Sequence, residues 1–412
     1  MGGADVEVFV GIDWAEDHHD VCVQGPDGRV VAKGRVPDGI AGIGKIHELV
    51  DRARPDDDTS VEVIVGIEID RGLLVRALLA AGYVVIAVNP LSVDRYRDRH
   101  RVSGAKSDPG DAFVLAEMVR VDRALHQPVA GDSVEVEALK LVARAHQNAI
   151  WSRRRLANQL RSGLREYFPA ILGLFDDVAD RDCLAVLAEA PTPARARRLS
   201  QSKIAAALRR GGRKLNIDRQ AAKIQAALRE PALQQPDPVA DAYGAITSSL
   251  VRLLQAHTVE IAALEETLTE GFAKHPDAEL LRSIPGLGIV TGARVLAEFG
   301  DDPNRYTDAK ARKNYAGTSP LTVASGNRRV VRARHVRNRR LADALHWWAF
   351  NAITRSPGAR ALYDQRRAAG DTHSGALRVV ANRLVGILHG ILKTHTAYNE
   401  DTAWAHRTQL AA

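Results

Sequence analysis

The chain has 412 residues, and its 57 lysines and arginines exceed its 50 aspartates and glutamates to give a formal net charge of +7. A chain of this length needs more than one hydrophobic core, so we expect two or three folded units. A hydrophobic fraction of 45% excludes a wholly disordered chain. Two cysteines, Cys22 and Cys183, are too few for a disulfide framework. The positive balance suits a polyanionic partner.

No leader with a basic start and an apolar centre is visible, and no stretch approaches 18 consecutive apolar residues. We therefore expect a soluble protein of a reducing compartment, without a membrane partner.

Residues 6–125 alternate between predicted strands and helices. The segments VEVFVGI, HDVCV and RVVAKGRV read as three consecutive strands, and VEVIVGIEI and YVVIAV read as two buried strands separated by a helix. Three strands in a meander, followed by helix, strand, helix and strand, is the order of an α/β ribonuclease-H-like fold. We predict a first domain of this class over residues 1–130.

Two long helices are predicted in residues 131–276, because apolar residues recur there at helical spacing. One set comprises Leu139, Val142, Ala149, Leu156, Leu160 and Leu164, and the other comprises Tyr243, Ile246, Leu250, Leu253, His257, Ile261, Leu264 and Leu268. Such spacing is typical of an antiparallel helical hairpin or of an intermolecular coiled coil, so we predict a long-helix, coiled-coil oligomerisation region.

Residues 277–412 are predicted to be a mostly α-helical third domain. The segment IPGLG (284–288) lies between two predicted helices and resembles a helix-hairpin-helix, in which the amides of Gly286 and Gly288 grip a backbone phosphate. A plain packing turn between two helices is the alternative. The WWAF segment at 347–350 is predicted to be core.

Four acids are predicted to hold divalent metal. Asp13 follows the first strand, and Glu68 lies inside the fourth, where a carboxylate is costly to bury without a compensating charge. Asp108 is the predicted N-cap of a helix with Pro109 at its first position, which places Asp111 on the same face one turn later. Carboxylates suit two Mg²⁺ ions, with Mn²⁺ as a substitute, and such pairs catalyse phosphoryl transfer.

Taken singly, these acids also have structural explanations, with Asp13 as a turn residue after a strand and Asp108 as a helix cap, and Glu68 is the hardest to explain in this way. Glu16, Asp17 and Asp70 are nearby acids that could be mistaken for ligands. Of His18 and His19, at most one can point at the site, because adjacent strand residues face opposite ways.

Residues 309–342 contain ten lysines and arginines and no acid. A solvated surface would mix the two signs, so this segment predicts phosphate contact. The residues that we predict to bind nucleic acid there are Arg328, Arg329, Arg332, Arg334, Arg337, Arg339 and Arg340.

Ser325 stands beside this segment, in the sequence AGTSPLTVASGNRR. Clustered arginines and Mg²⁺ can activate a serine hydroxyl by stabilising the alkoxide and the charged phosphorus centre. On chemistry alone, Ser319 or Thr322 would serve as well, and a Ser-Gly pair is often only a turn.

The chain resembles a known family in several motifs. The N-terminal motifs are GID, GIE, VNP and KSDPGDA, and the C-terminal ones are IPGLG, YAGTSP, ASGNRR and H-x-R-N-R-R-L. Together they resemble the IS110 insertion-sequence transposases, which have a RuvC-like DEDD domain, a C-terminal transposase domain and the newer name of bridge-RNA-guided recombinases.

The resemblance implies a site and a reaction. Asp13, Glu68, Asp108 and Asp111 match the four metal-binding acids, and Ser325 matches the serine that attacks DNA to form a phosphoserine intermediate. Lys106 belongs to the KSDPGDA motif and joins the predicted nucleic-acid-binding residues.

The resemblance also implies partners and a location. These are donor and target DNA, a structured bridge RNA, and further copies of the chain in a dimer or tetramer, with one subunit's acids completed by another's serine domain. A bacterial, cytoplasmic, nucleoid-associated location follows.

Two other functions fit the residues alone. A RuvC-like junction-resolving nuclease would use water in place of serine, and a scaffold that binds nucleic acid would not need the acids.

Overall fold

The computed structural model describes residues 6–53, 61–100, 107–126, 128–129, 131–325, 328–334 and 337–408. The chain divides into two units, Met1–Gly131 and Asp132–Ala412. Lys106, Gly326 and Asn327 lie outside the described residues, as do the side chains of Ser325 and Arg328.

A five-stranded mixed sheet forms the first unit, with strand order β3-β2-β1-β4-β5. The elements in chain order are β1 (Val6–Trp14), β2 (His18–Gln24), β3 (Val30–Pro37), α1 (Ile40–Asp51), β4 (Val61–Ile67), α2 (Leu73–Ala80), β5 (Val84–Ala87), α3 (Pro90–His100) and α4 (Asp108–Val121), with a 3-10 turn at Arg123–Leu125. Strand β1 is antiparallel to β2 and parallel to β4. This mixed sheet with helices agrees with the predicted ribonuclease-H-like class.

Each face of this sheet has its own apolar core. Val8, Val10 and Ile12 of β1 pack with α1 and α2 on one face. Phe9 of β1 and Ile64 of β4 pack with α3 and α4 on the other face. The alternation follows from the two-residue period of a strand, so successive residues of one strand contact helices on opposite faces of the sheet.

Helices dominate the second unit, which also has one two-stranded sheet. Its elements are α5 (Val134–Tyr167), α6 (Pro169–Leu174), α7 (Arg181–Glu189), α8 (Pro193–Arg197), α9 (Gln201–Arg210), α10 (Ile217–Arg229), α11 (Asp237–Ala273), α12 (Ala278–Arg282), α13 (Ile289–Phe299), α14 (Ala309–Tyr315), β6 (Leu321–Ser325), β7 (Arg328–Arg332), α15 (Arg339–Ala352), α16 (Pro357–Ala368), α17 (His373–Thr394) and α18 (Glu400–Thr408).

The long helices α5 and α11 pack against each other in antiparallel fashion. Leu139 near the start of α5 shares a core with Phe272 near the end of α11. Leu164 near the end of α5 shares a second core with Leu250 near the start of α11, and with α6 to α10. The helical pair within one chain is therefore present, whereas an intermolecular coiled coil stays a prediction.

The predicted apolar stripe of α11 is partly wrong. Ile246 and Leu253 are about half exposed, while Thr247, Val251 and Leu254 are buried. The buried stripe is rotated by one residue because α11 also packs on the short helices that follow α5.

The WWAF segment is only half core. Trp348 and Ala349 are buried, whereas Trp347 and Phe350 are 46% and 40% exposed. Consecutive residues of a helix point in different directions, so an apolar run in α15 cannot be buried throughout.

Helix α17 is long and apolar enough to cross a membrane by length and composition alone. Leu377, Leu384 and Leu388 lie in the core of the second unit, so the composition of α17 is that of a core helix.

Candidate metal centre and nucleic-acid interface

Two glycines allow helix α4 to lie directly on the sheet. Gly11 of β1 and Gly66 of β4 are register partners. A Cβ atom on Gly11 would lie 1.9 Å from the carbonyl oxygen of Ala112, and one on Gly66 would lie 2.6 Å from that of Leu115. Any larger residue would collide with the backbone of α4, so these positions fix how closely the helix approaches the strands.

The same register brings Asp13 and Glu68 together at one edge of the sheet. Ile12 and Ile67 are partners in adjacent parallel strands, and each acid is the next residue in its chain. Asp13 follows Gly11 by two residues, and Glu68 follows Gly66 by two, so both positions continue the face on which α4 lies. Both acids are partly buried, and both interact with other groups.

The strand ends differ slightly from the predicted ones. Strand β1 continues through Asp13 to Trp14, and β4 ends at Ile67, so Glu68 follows its strand and does not lie inside it.

The first turn of α4 carries the other two acids. Ser107 is the N-cap, with φ −154° and ψ 140°, so the prediction of Asp108 as the cap is wrong by one residue. Asp108 is exposed and Asp111 is buried. Pro109 still lies in the first turn, where its missing amide hydrogen costs nothing.

Arginines from neighbouring elements pair with both of these acids. The Arg97 guanidinium of α3 lies 2.7 Å from Oδ1 of Asp111. The Arg35 Nη2 of β3 lies 3.4 Å from Oδ2 of Asp108. A metal ion that binds Asp108 and Asp111 therefore competes with two guanidinium groups.

Asp20 is a fifth acid on this face, and the sequence analysis missed it. It is the register partner of Asp13 on β2 and is buried. Arg35 donates to it from Nη2 at 2.8 Å and from Nε at 3.2 Å, and the hydrogen bond to Asp20 raises the pKa of Arg35. The sequence did indicate Asp20, because this acid interrupts the apolar strand HDVCV in the same way that Glu68 interrupts the apolar segment VEVIVGIEI.

His18, Asp20 and Asp108 form a group of potential metal ligands, and of the four predicted acids this group contains only Asp108. One ligand atom from each lies within 4.8 Å of the other two, and no other such group occurs in the described ranges. His19 is buried and lies 3.2 Å from Asp38. The prediction that at most one of the two histidines points at the acids is confirmed.

The donor set fits a hard divalent cation. Carboxylate oxygens are the preferred ligands of Mg²⁺ and Mn²⁺. Cys22 is the register partner of Gly11, and burial raises its pKa to about 11, although Lys33 acts to lower it. It stays a neutral thiol near neutral pH, so the neighbourhood offers oxygen and imidazole ligands without a thiolate.

Ser325 lies at the end of a β-hairpin, which the sequence analysis did not predict. Ser325 of β6 is the register partner of Arg328 of β7, and two residues connect them. The missed signal is LTVAS-GN-RRVVR, because Gly-Asn between two β-branched runs is a two-residue hairpin turn. Leu321, Val323 and Val331 are 41–62% exposed, so this hairpin is largely solvent-accessible.

The predicted phosphate-binding arginines whose side chains are described fall into an exposed group and a partly buried group, and the second contains Arg334, Arg337 and Arg340. Arg329, Arg332 and Arg339 are exposed. Arg340 donates to Oδ1 of Asn148 at 2.9 Å and stacks on Trp151 at 5.2 Å, so it joins α15 to α5. Exposure makes the first group the better candidates for phosphate contact.

The glycine turn between α12 and α13 is present. Gly286 has φ +77°, and a Cβ atom there would lie 2.5 Å from the amide nitrogen of Ala352. Trp348 donates to the carbonyl oxygen of Pro285 at 3.0 Å. Gly286 is thus required for packing against α15, and the phosphate contact of Gly286 and Gly288 stays a prediction.

A buried carboxylate fixes the start of α15, directly after the basic segment. Glu298 of α13 accepts from Arg144 at 2.8 Å and 2.9 Å and from Asn338 Nδ2 at 2.6 Å. Burial acts to raise the pKa of Glu298, but these hydrogen bonds hold it below its ordinary value. Asn338 in turn caps α15 through the amides of Arg340 and Leu341.

Comparison with known proteins gives a consistent result. Residues 10–169 match a family model described as a transposase of the DEDD, IS110 type, and residues 278–364 match one described as "Transposase IS116/IS110/IS902 family". The chain is 44% identical over 409 residues to the "Mini-circle putative transposase for IS117" of Streptomyces coelicolor, with 98% of both chains covered. It is 30% identical over 388 residues to the "Insertion element IS116 uncharacterized 44.8 kDa protein" of Streptomyces clavuligerus, with 94% of both covered.

Proposed function

Because the chain belongs to the IS110/IS116 family of insertion-sequence transposases, we propose that it cuts and joins insertion-sequence DNA by Mg²⁺-dependent phosphoryl transfer with Ser325 as nucleophile. The chain is a DNA transposase. The proposal adds that acidic residues hold the metal, that the reaction passes through a covalent intermediate and that a guide RNA takes part.

The observation that supports the proposal is that Asp13 and Glu68 follow register-paired residues of adjacent strands, on the sheet face that α4 covers. The register of β1 with β4 puts the positions of Asp13 and Glu68 side by side. Gly11 and Gly66 let α4, whose first turn carries Asp108 and Asp111, lie on the same face of the sheet. Asp13, Glu68, Asp108 and Asp111 would hold the metal, and Asp20 lies within reach of Asp108. Divalent metal supplies charge stabilisation to the attacking and leaving oxygens.

The proposed covalent step uses the serine oxygen. The Ser325 oxygen forms a bond to a backbone phosphorus of DNA, and the bond from that phosphorus to one deoxyribose oxygen breaks. The proton of the serine hydroxyl ends on the departing oxygen. Joining is the reverse reaction with a different strand end, so the phosphodiester energy is conserved in the phosphoserine.

The basic segment supports contact with the polyanionic substrate. Arg329, Arg332 and Arg339 are exposed near the serine in sequence, and arginine binds phosphate oxygens in a bidentate manner. We extend to this chain the use of a bridge RNA and of a dimer or tetramer, on the strength of the family resemblance.

The nucleophile is tested with labelled DNA that carries the ends of the element. Wild-type protein with Mg²⁺ is expected to give a covalent protein–DNA adduct that survives denaturation, and Ser325→Ala is expected to give none while binding the DNA normally. Ser319→Ala is the matched control and should form the adduct, since Ser319 lies in the preceding turn and bonds to Asn314.

Two outcomes would overturn this assignment. Persistence of the adduct in Ser325→Ala would place the nucleophile elsewhere. Cleavage to free ends without any adduct would favour the RuvC-like nuclease, in which water attacks.

The guide RNA has its own test. The purified protein is expected to retain a discrete RNA transcribed from the flanks of its element, and ribonuclease treatment is expected to abolish adduct formation. Full activity after ribonuclease treatment would remove the RNA from the proposal and leave the DNA chemistry intact.

A further inference from the structure

The second unit contains an open cavity of about 380 Å³ between the segment after α14, helix α15 and helix α17. Its polar lining includes Arg337, Arg339, Arg378, His346 and Ser374. This volume is in the range of small-molecule sites, and three arginines in one lining suit an anionic ligand such as a phosphate.

Two of the lining arginines, Arg337 and Arg378, lack a carboxylate partner among the described residues. Neither Arg337 nor Arg378 forms an ion pair or a side-chain hydrogen bond with any residue that the structure describes. Burial lowers the pKa of Arg337, and the positive charge of Arg378 lowers it further. Two like charges held together in a partly buried site are costly unless an anion compensates them.

The single acid in the lining is already engaged. Asp343 accepts from Gln147 Nε2 at 2.9 Å and lies 3.8 Å from Arg294. Gly317, with φ +68°, lies under the stem of Arg337, where a Cβ atom would come within 2.4 Å. The glycine of the YAGTSP motif thus holds Arg337 in place at the cavity.

An exposed aromatic surface continues from the cavity along α15. Trp347 and Phe350 follow the lining residues Asp343 and His346 by one helical turn. Their rings contact edge to face, with centroids 5.9 Å apart, and Phe350 is followed by His373 at 6.3 Å. His373 directly precedes the lining residue Ser374, so the aromatic surface borders the cavity on two helices.

Arginines that bind phosphate and exposed rings that stack on bases are the two components of a single-strand nucleic-acid site. The bases of a paired duplex are stacked on one another, so their faces are not accessible. The exposed aromatic surface can therefore stack only on the bases of unpaired nucleotides. We propose that the cavity and the Trp347–Phe350 surface bind an unpaired segment of DNA, with a phosphate between Arg337 and Arg378 and a base on Trp347. The choice of DNA over RNA rests on the transposase function.

The test is fluorescence anisotropy with full-length protein and three labelled probes, a twelve-nucleotide oligo-dT, the matching oligo-U and a duplex of equal length. Trp347→Ala is expected to weaken oligo-dT binding at least about fivefold, the range of one lost base stack. Trp347→Phe should retain most of the affinity. The duplex affinity should not change.

The phosphate part of the site is tested by salt dependence. Arg378→Gln is expected to lower the slope of log affinity against log salt by about 0.7, which corresponds to one phosphate of a single strand. Arg360→Gln is the matched control, because Arg360 is exposed on α16 and paired with Asp364 at 2.7 Å. It should leave both the affinity and the slope as in the wild type.

Three results would overturn the inference. The first is an oligo-dT affinity of Trp347→Ala equal to that of the wild type. The second is an effect of the substitution on oligo-U binding alone. The third is a change in the sedimentation of Trp347→Ala without a change in its oligo-dT binding. The last would assign the surface to a second copy of the chain. Adduct formation by the wild type is scored separately, so failure of the cavity and failure of the serine chemistry are distinguishable.

Discussion

Gly11 of β1 and Gly66 of β4 face each other across two parallel strands, and helix α4 crosses both so closely that neither position has room for a side chain. The acids Asp13 and Glu68 follow these glycines by two residues on the same face. The position of the candidate metal centre therefore depends on two residues that carry no chemistry themselves.

Gly11→Ala is expected to destabilise the first unit. The added methyl group would lie 1.9 Å from the Ala112 carbonyl oxygen, and overpacking of this kind costs about 1–3 kcal/mol or more. The free energy of unfolding, measured with denaturant, is the readout. Gly44→Ala is the control, since nothing lies within 4 Å of that position in α1 and alanine favours a helix. Equal stability of Gly11→Ala and wild type would contradict the close approach of α4.

Arg97→Gln is expected to destabilise the protein in chelator and to make it more responsive to Mg²⁺. The substitution removes a guanidinium partner of the buried Asp111 carboxylate, at a cost of about 1–3 kcal/mol. A cation bound at the acids replaces the lost charge, so Mg²⁺ should raise the melting temperature more in the variant than in the wild type. Arg95→Gln, an exposed position on α3, is the control. An identical rise in melting temperature with Mg²⁺ in Arg97→Gln and wild type would show that Asp111 does not bind the metal.

The contribution of Glu298 to stability is expected to depend on pH. Its pKa is held below the ordinary value of 4.5 in the folded state, so its stabilising effect is present above that value and is lost as the pH falls through the folded-state pKa. Glu298→Gln should therefore cost most at pH 7 and progressively less below about pH 4.5. A stability difference that is constant from pH 7 to pH 3 would contradict the assignment.

The arginines of the basic segment are expected to separate by function. Arg329→Gln should reduce the salt dependence of duplex binding by about 0.9 in slope, with no effect on stability. Arg340→Gln should lower stability, because Arg340 stacks on Trp151 and bonds to Asn148. Denaturant unfolding and binding at several salt concentrations check both. Loss of stability in Arg329→Gln would show that it, too, is structural.

Sequence patterns were sufficient to predict the order of strands and helices along the first unit and the presence of both long helices, because buried strands and amphipathic helices have regular periods. Asp13 and Glu68 were predicted to share a metal site, and the register of β1 with β4 brings their positions together. Asp20 was missed although it interrupts the apolar strand HDVCV, and Arg35 was missed because its role depends on the register of β3 with β2. The β6–β7 hairpin was missed although Gly-Asn between two β-branched runs signals it, because the segment was interpreted from its charge alone. The exposure of Trp347 depends on how α15 is rotated, which an apolar run cannot indicate.

The most direct test of the central claim is binding of Mn²⁺, as a substitute for Mg²⁺, measured by electron paramagnetic resonance on wild type, Glu68→Gln and Asp70→Asn. Asp70 is an exposed acid two residues after Glu68 and serves as the matched control. We expect wild type and Asp70→Asn to bind Mn²⁺ alike, and Glu68→Gln to lose binding at least about tenfold, the loss seen when one metal-supporting residue is removed. Unchanged Mn²⁺ affinity in Glu68→Gln would contradict a metal centre at this edge of the sheet.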